Sequence, residues 1–394
     1  MLLNNCKDHT PFKTLTILPF CIPNLPSLLF HFFCSTLGAP SSTMMRANLT
    51  ILLYFLFLAL FRSGSSQTLV PAIITFGDSA VDVGNNNYLF TLFKADFPPY
   101  GRDFVKHQAT GRFCNGKLAT DFTAENLGFT SFPLAYLNPQ ATGKKLLLGA
   151  NFASAASGYY DATALLSKAI PLSQQLEYYK EYQSKLADVA GQENATSILS
   201  EAVYILSAGS SDFVQNYYVN PLLNKVYTPD AYSDFLVDIF SKFVQNLYEL
   251  GARRIGVTSL PPLGCLPAAI TLFGFGDNGC VTRINDDAKS FNKKVTSAAQ
   301  SLQKELSGLK LVIFDIYTPF YDLVQNPVKN GFFETRKGCC GTGVVETGIL
   351  CNPKSIGTCS NASEYVFWDS VHPTQAANQK LADALLLQGI SLIG

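Results

Sequence analysis

The sequence predicts an α/β protein: a single doubly wound domain whose five-stranded parallel sheet lies between helices. Two observations carry this prediction. Short β-branched and apolar runs alternate with longer segments of helical period, the pattern of βαβ crossovers. Four of the runs end in small, polar, turn-forming residues, and doubly wound sheets gather their sites at the carboxyl ends of strands.

The strand candidates are Val70–Phe76, Leu146–Phe152, Ala202–Leu206, Arg254–Thr258 and Leu311–Asp315. Each is short and apolar enough for a strand covered on both faces. The crossovers read as helices. In Asp230 to Gly251, for example, Phe235, Ile239, Phe243 and Leu247 recur every four residues, and Gly251 is a suitable stop. The strand ends carry "GDS" (77–79), "ASAASG" (153–158), "SAGSSDF" (207–213) and "LPPLGC" (260–265).

Composition narrows the class. The chain has 394 residues, 47% of them hydrophobic, which is ample for a large core. Lys+Arg and Asp+Glu balance at 29 each and no basic block occurs, so there is no footprint for nucleic acid. Residues 44–66 have the layout of a secretory signal: Arg46, an apolar run Leu49 to Phe61, then Gly64 and Ser66 at a cleavage-like site. That run is too short for a transmembrane anchor, and no second candidate follows. Residues 1–43, broken by five prolines, read as an upstream extension or a start codon placed too early; an organellar targeting segment is the alternative. The domain itself is expected over 67–394, secreted to the extracellular space or cell wall.

Cysteine usage fits export. Beyond residue 67 lie Cys114, Cys265, Cys280, Cys339, Cys340, Cys351 and Cys359. Four crowd a glycine-rich loop, without the histidine or CxxC spacing of a zinc site, so disulfides are expected and a metal is not. Cys265 and Cys280 are expected to pair. The cluster Cys339, Cys340, Cys351 and Cys359 allows three connectivities, and Cys114 is left as the free thiol. Sequons at Asn194 and Asn361 suit a glycosylated chain.

The chemistry turns on Ser79. A serine nucleophile needs a base and a group to orient that base. Outside the leader only His107 and His372 are available. His107 lies in a polar loop and reads as solvated. His372 follows Asp369 by three residues at the end of an aromatic run, with Pro373 expected to open a helix. Asp369 in the same turn can hold the Nδ1 proton and leave Nε2 toward a serine. The competing reading makes Asp369 a helix cap and His372 incidental.

"FGDSAVDVGNNN" near one end and "WDSVHP" near the other resemble the plant GDSL esterase/lipase family of the SGNH hydrolases. "GRFCNGK" (111–117), "GANFASAASG" (149–158), "GSSDFVQNYY" (209–218) and "LPPLGCLP" (260–267) extend the resemblance, in order, over residues 70–390. The resemblance implies a flavodoxin-like three-layer α/β/α fold. It also implies Ser79 as nucleophile, His372 as base and Asp369 as the orienting carboxylate. The N–H groups of Ser79 and Gly158 would serve the oxyanion hole, glycine at 158 letting backbone approach the reacting carbonyl. One block departs: Gly-x-Asn-Asp reads Gly209-Ser210-Ser211-Asp212, so Ser211 takes the place of an Asn donor. Asp212 itself reads as a cap for the helix or turn that follows.

The expected activity is therefore carboxylic-ester hydrolysis through an acyl-enzyme, with no metal or organic cofactor. Lipids, cutin-like polyesters, acetylated glycans and small-molecule esters all remain open as substrates. Two alternatives stand beside it: an extracellular acyltransferase that uses an alcohol acceptor at the same triad, and a catalytically silent wall- or lipid-binding protein.

Overall fold

Five parallel strands form the sheet: β1 (Ile73–Gly77), β2 (Gly149–Asn151), β3 (Val203–Ser207), β4 (Arg254–Thr258) and β5 (Lys310–Phe314), in the order β2-β1-β3-β4-β5. This computed structural model describes residues 68–393; the expected extension at 1–43 and signal at 44–66 lie outside the described residues. The expected doubly wound, three-layer architecture is borne out, and each expected strand overlaps an observed one. β2 is shorter than expected, because Leu146–Leu148 belong to a 3-10 turn (Gly143–Leu148). The strand starts only at Gly149, which has φ +100° and lies so close to β1 that a Cβ would fall 1.9 Å from the Ile73 carbonyl oxygen.

The helices are α1 (Ala119–Asn126), α2 (Asp161–Leu166), α3 (Leu172–Ala190), α4 (Gln192–Glu201), α5 (Leu223–Val226), α6 (Pro229–Glu249), α7 (Pro267–Phe273), α8 (Thr282–Glu305), α9 (Tyr317–Gln325) and α10 (Gln375–Ile393). Every residue of β1 and β3 is buried, as covering on both faces demands. Ile74, Phe76, Tyr204 and Leu206 point into the larger core with α3, α6 and α8. Their neighbours Ile73, Val203 and Ile205 point the other way, into a smaller core with α1 and α10.

α6 shows what periodicity alone resolves. Thr228 caps it by accepting the Ala231 N–H, Pro229 opens it, and Gly251 follows it at φ +100°. Phe243 and Leu247 are buried as expected, but Phe235 and Ile239 are only half-buried. The deeper stripe is Tyr232, Leu236, Phe240 and Val244. A strict four-residue repeat drifts around a helix of 3.6 residues per turn, so both rows touch the core.

β6 (Glu334–Gly338) and β7 (Tyr365–Phe367) pair in parallel outside the main sheet. β6 reads "ETRKG", with Arg336 and Lys337 exposed, and so carries no apolar signal. The loop between them is cross-linked by Cys339–Cys359 and Cys340–Cys351; a third bridge joins Cys265 to Cys280, and Cys114 is buried and unpaired among the described residues.

Candidate active site

β3 and β1 are neighbours at which the strand order reverses, the place where such sheets open a crevice. β1 ends at Gly77 with φ +137°, where a Cβ would lie 1.8 Å from the Ser207 carbonyl oxygen; no other residue type fits. The buried Gln175 side chain from α3 holds this glycine on both sides, accepting its N–H and donating to its carbonyl, each at 2.9 Å. The Asp78 carbonyl then accepts the N–H groups of Val81 and Asp82, closing a tight turn. Ser79 rides that turn, half-buried.

His372 arrives from the far end of the chain. Asp369 is fully buried, and its Oδ1 accepts the backbone N–H groups of Val371 and His372 at 2.9 and 2.7 Å. His372 Nδ1 lies 2.9 Å from both Asp369 oxygens, and Nε2 lies 2.8 Å from Ser79 Oγ. Burial opposes the Asp369 charge, but the His372 charge and the converging hydrogen bonds outweigh it and hold the carboxyl below its ordinary range. Pro373 does not open the helix as expected. It pairs with Phe367, and α10 starts at Gln375 with Thr374 accepting the Ala377 N–H.

Three supporting side chains were not among the sequence candidates. Tyr100 Oη donates to Asp369 Oδ2 at 2.8 Å, and Thr347 Oγ1 donates to the same oxygen at 3.0 Å. Phe113 packs against the His372 ring with centroids 4.9 Å apart. Its neighbour Arg112 makes a two-point ion pair with buried Asp121, at 2.8 and 2.7 Å. Thr347 is delivered by the doubly cross-linked loop, which ties that cysteine cluster to the site.

The polar segment after Ser79 is a buried frame rather than a solvated loop. Asp82 accepts the N–H groups of Gly84, Asn85 and Ala155. Asn85 donates to the carbonyls of Asn151 and Ala153, and Asn86 donates to that of Ala155. These bonds pin residues 151–155 beside Ser79. Among the described residues, the backbone N–H groups of Ser79 and Gly158 have no hydrogen-bond partner. Glycine is also required at 158 by packing: a Cβ there would meet the Asp212 carboxylate at 2.3–2.5 Å. Asp212 does not cap the helix that follows it. It accepts the Tyr159 and Tyr160 N–H groups and the Thr163 hydroxyl, and so binds the start of α2, which packs across from it.

Ser211 is buried, and its hydroxyl has no partner among the described residues. Ser210, not Ser211, stands on the wall of the cavity that opens beside Ser79 and His372. That cavity measures about 160 Å³ and is lined mostly by apolar side chains. Burial raises the carboxyls of Asp78 and Asp82 to about 6 and that of Asp212 to about 7, against the opposing pull of their hydrogen bonds.

The remaining sequence candidates lie apart. His107 is exposed. Asn194 at the start of α4 and Asn361 beside β7 are both exposed. Among the described residues no group of three or more His, Cys, Asp or Glu is placed to hold a metal, and no helix is long and apolar enough to cross a membrane.

The family model for GDSL-like lipase/acylhydrolase matches residues 73–385. The chain is 70% identical over 331 residues to the GDSL esterase/lipase APG of Arabidopsis thaliana, covering 84% of this chain and 94% of that one. A second Arabidopsis thaliana GDSL esterase/lipase is 64% identical, covering 83% and 91%, and a further one is 60% identical over 353 residues, covering 89% and 100%. A serine at the first strand end, a histidine bonded to it from the last turn before the C-terminal helix, and this likeness over most of the chain agree: the protein belongs to the GDSL-like lipase/acylhydrolase family, within the carboxylic-ester hydrolases.

Proposed function

We propose a secreted serine esterase that works through an acyl-enzyme on Ser79. The observation that carries the reading is the unbroken line from buried Asp369 through His372 to Ser79 Oγ, with links of 2.9 and 2.8 Å. His372 Nε2 takes the Ser79 proton as Oγ bonds to the ester carbonyl carbon. The oxyanion that forms is met by the Ser79 and Gly158 N–H groups, with the Ser211 hydroxyl as third donor. His372 then returns the proton to the departing alkoxide as the C–O bond breaks. Water attacks the acyl-enzyme and gives a proton to His372, which passes it back to Ser79 as the acid leaves. Asp369 stays ionised throughout and holds the imidazole tautomer.

Secretion is supported by the signal-like residues 44–66, by three disulfides, and by exposed sequons at Asn194 and Asn361. The mature chain should begin near Gln67 and carry glycan at one or both asparagines, read by intact mass before and after deglycosylation.

The mechanism is tested by a fluorophosphonate probe. It should label Ser79, and Ser79→Ala should lose both labelling and ester hydrolysis, with His372→Ala nearly as damaged because such groups act as a unit. Robust hydrolysis by Ser79→Ala would overturn the reading.

A further inference from the structure

The cavity beside Ser79 does not stop at the site. It continues between the smaller-core face of the sheet and the helices α1 and α10. Val203, Ile205 and Ser207 of β3 form one wall, with Phe314 beside them, and Leu381, Ala382 and Gly389 of α10 form the other. Leu386, 42% exposed, also lines the cavity. Protein interiors leave few voids larger than a water molecule, and an apolar void of this size costs stability. Its lining gives water few partners, so the space suits hydrocarbon.

We propose that this passage is an acyl-chain subsite, and that the enzyme prefers esters of unbranched, medium-length aliphatic acids. The inference rests on Ser79 being the acylated residue. The occupant is assigned from the reaction order. The alcohol must leave before water can attack, and a passage enclosed between sheet and helices is a poor exit. The acyl group stays attached to Ser79 through both steps and is the part that gains from being held. From Ser207 to Val203 the wall runs about 13 Å, the length of an alkyl chain of roughly ten carbons. A volume of about 160 Å³ spread over that length is slender, which favours a straight chain over a branched or aromatic acid.

The test uses the full mature protein and 4-nitrophenyl esters from acetyl to hexadecanoyl. kcat/KM should climb from acetyl toward decanoyl, by at most about fourfold per methylene, and then level off. Gly389 and Ala382 lie on the cavity face of α10, seven residues or about 10 Å apart along the helix. A Cβ on Gly389 meets only the Phe314 ring, at ordinary contact distances of 3.5–3.6 Å, so Gly389→Leu fills space without backbone strain. Ala382→Leu should cut the decanoyl-to-acetyl ratio of kcat/KM at least tenfold, and Gly389→Leu should shorten the plateau less. Reading a ratio separates the effect from any general loss of folded enzyme. Ser79 labelled by fluorophosphonate with acetyl ester turned over, but no gain with chain length, would overturn the subsite and leave the mechanism standing. An unchanged length profile in both variants would do the same. Absence of labelling at Ser79 would overturn both.

Discussion

Tyr100 and Asp369, 269 positions apart, are joined by a 2.8 Å hydrogen bond from the phenol to Oδ2. The same hydroxyl accepts the Gly348 N–H at 2.8 Å. Burial, with Asp369 beside it, pushes the Tyr100 phenol well above its ordinary range, so it remains a donor at any working pH. Tyr100 is thus a positioning residue that acts through Asp369. Tyr100→Phe should lower kcat about tenfold, near 1.4 kcal/mol, with KM little changed. It should also cost about 1–3 kcal/mol of stability, because the Gly348 N–H loses its acceptor. Kinetics on a short ester and a denaturant melt read the two effects separately; a change confined to the melt would make Tyr100 structural only.

Ser211 stands where the resemblance to the wider SGNH superfamily implies an asparagine donor; the residue is buried, and its hydroxyl is unpartnered among the described residues. Ser211→Ala should lower kcat about tenfold with KM unchanged, the mark of a bond made mainly in the transition state. Ser211→Asn should be tolerated. Ser210→Ala is the informative companion, since Ser210 lines the cavity: a loss confined to that variant would move the third donor one residue back.

Asp78, Asp82 and Asp212 are buried with carboxyls raised to about 6, 6 and 7. Such groups bind more protons folded than unfolded between about pH 4 and those values, so stability falls as pH rises through that window. The melting temperature should therefore be higher at pH 5 than at pH 8. Asp78 Oδ1 accepts the Ala80 N–H, a role that an asparagine oxygen can fill. Asp78→Asn should flatten the slope between pH 5 and 7 and stabilise the protein at pH 8. A melting temperature that rises steadily from pH 5 to 8 in the parent would contradict the assignment.

The Cys340–Cys351 bridge spans the loop that presents Thr347 and Gly348 to Asp369 and Tyr100. Replacing both cysteines by alanine should cost roughly 2–4 kcal/mol and lower kcat several-fold, because the loop no longer holds those two contacts. Thermal melts and single-ester kinetics on the folded fraction check both. Full kcat with a lowered melting temperature would separate the loop from the site.

What the sequence determined by itself is what short-range physics encodes. Strand–helix alternation is local, so all five strands and the layer order were legible from residues 70–390. Gly77 had to end β1 for Ser79 to turn out of the sheet. Asp369 and His372 lie three residues apart, so one turn brings them together whatever surrounds it, and Cys265 and Cys280 flank one short loop. The tertiary structure decided everything that joins distant segments. No periodicity links Tyr100 to Asp369, or Gln175 to Gly77. The choice among three pairings in 339–359 depends on where β6 and β7 bring the loop ends. Asp212 reads locally as a cap, yet its partners, Tyr159, Tyr160 and Thr163, arrive from a different strand end. The passage behind Ser79 exists only between two surfaces, β3 and α10, that meet after folding. Each of these contacts is made possible by packing a whole layer, and a single stretch of chain carries no record of which surface it will face.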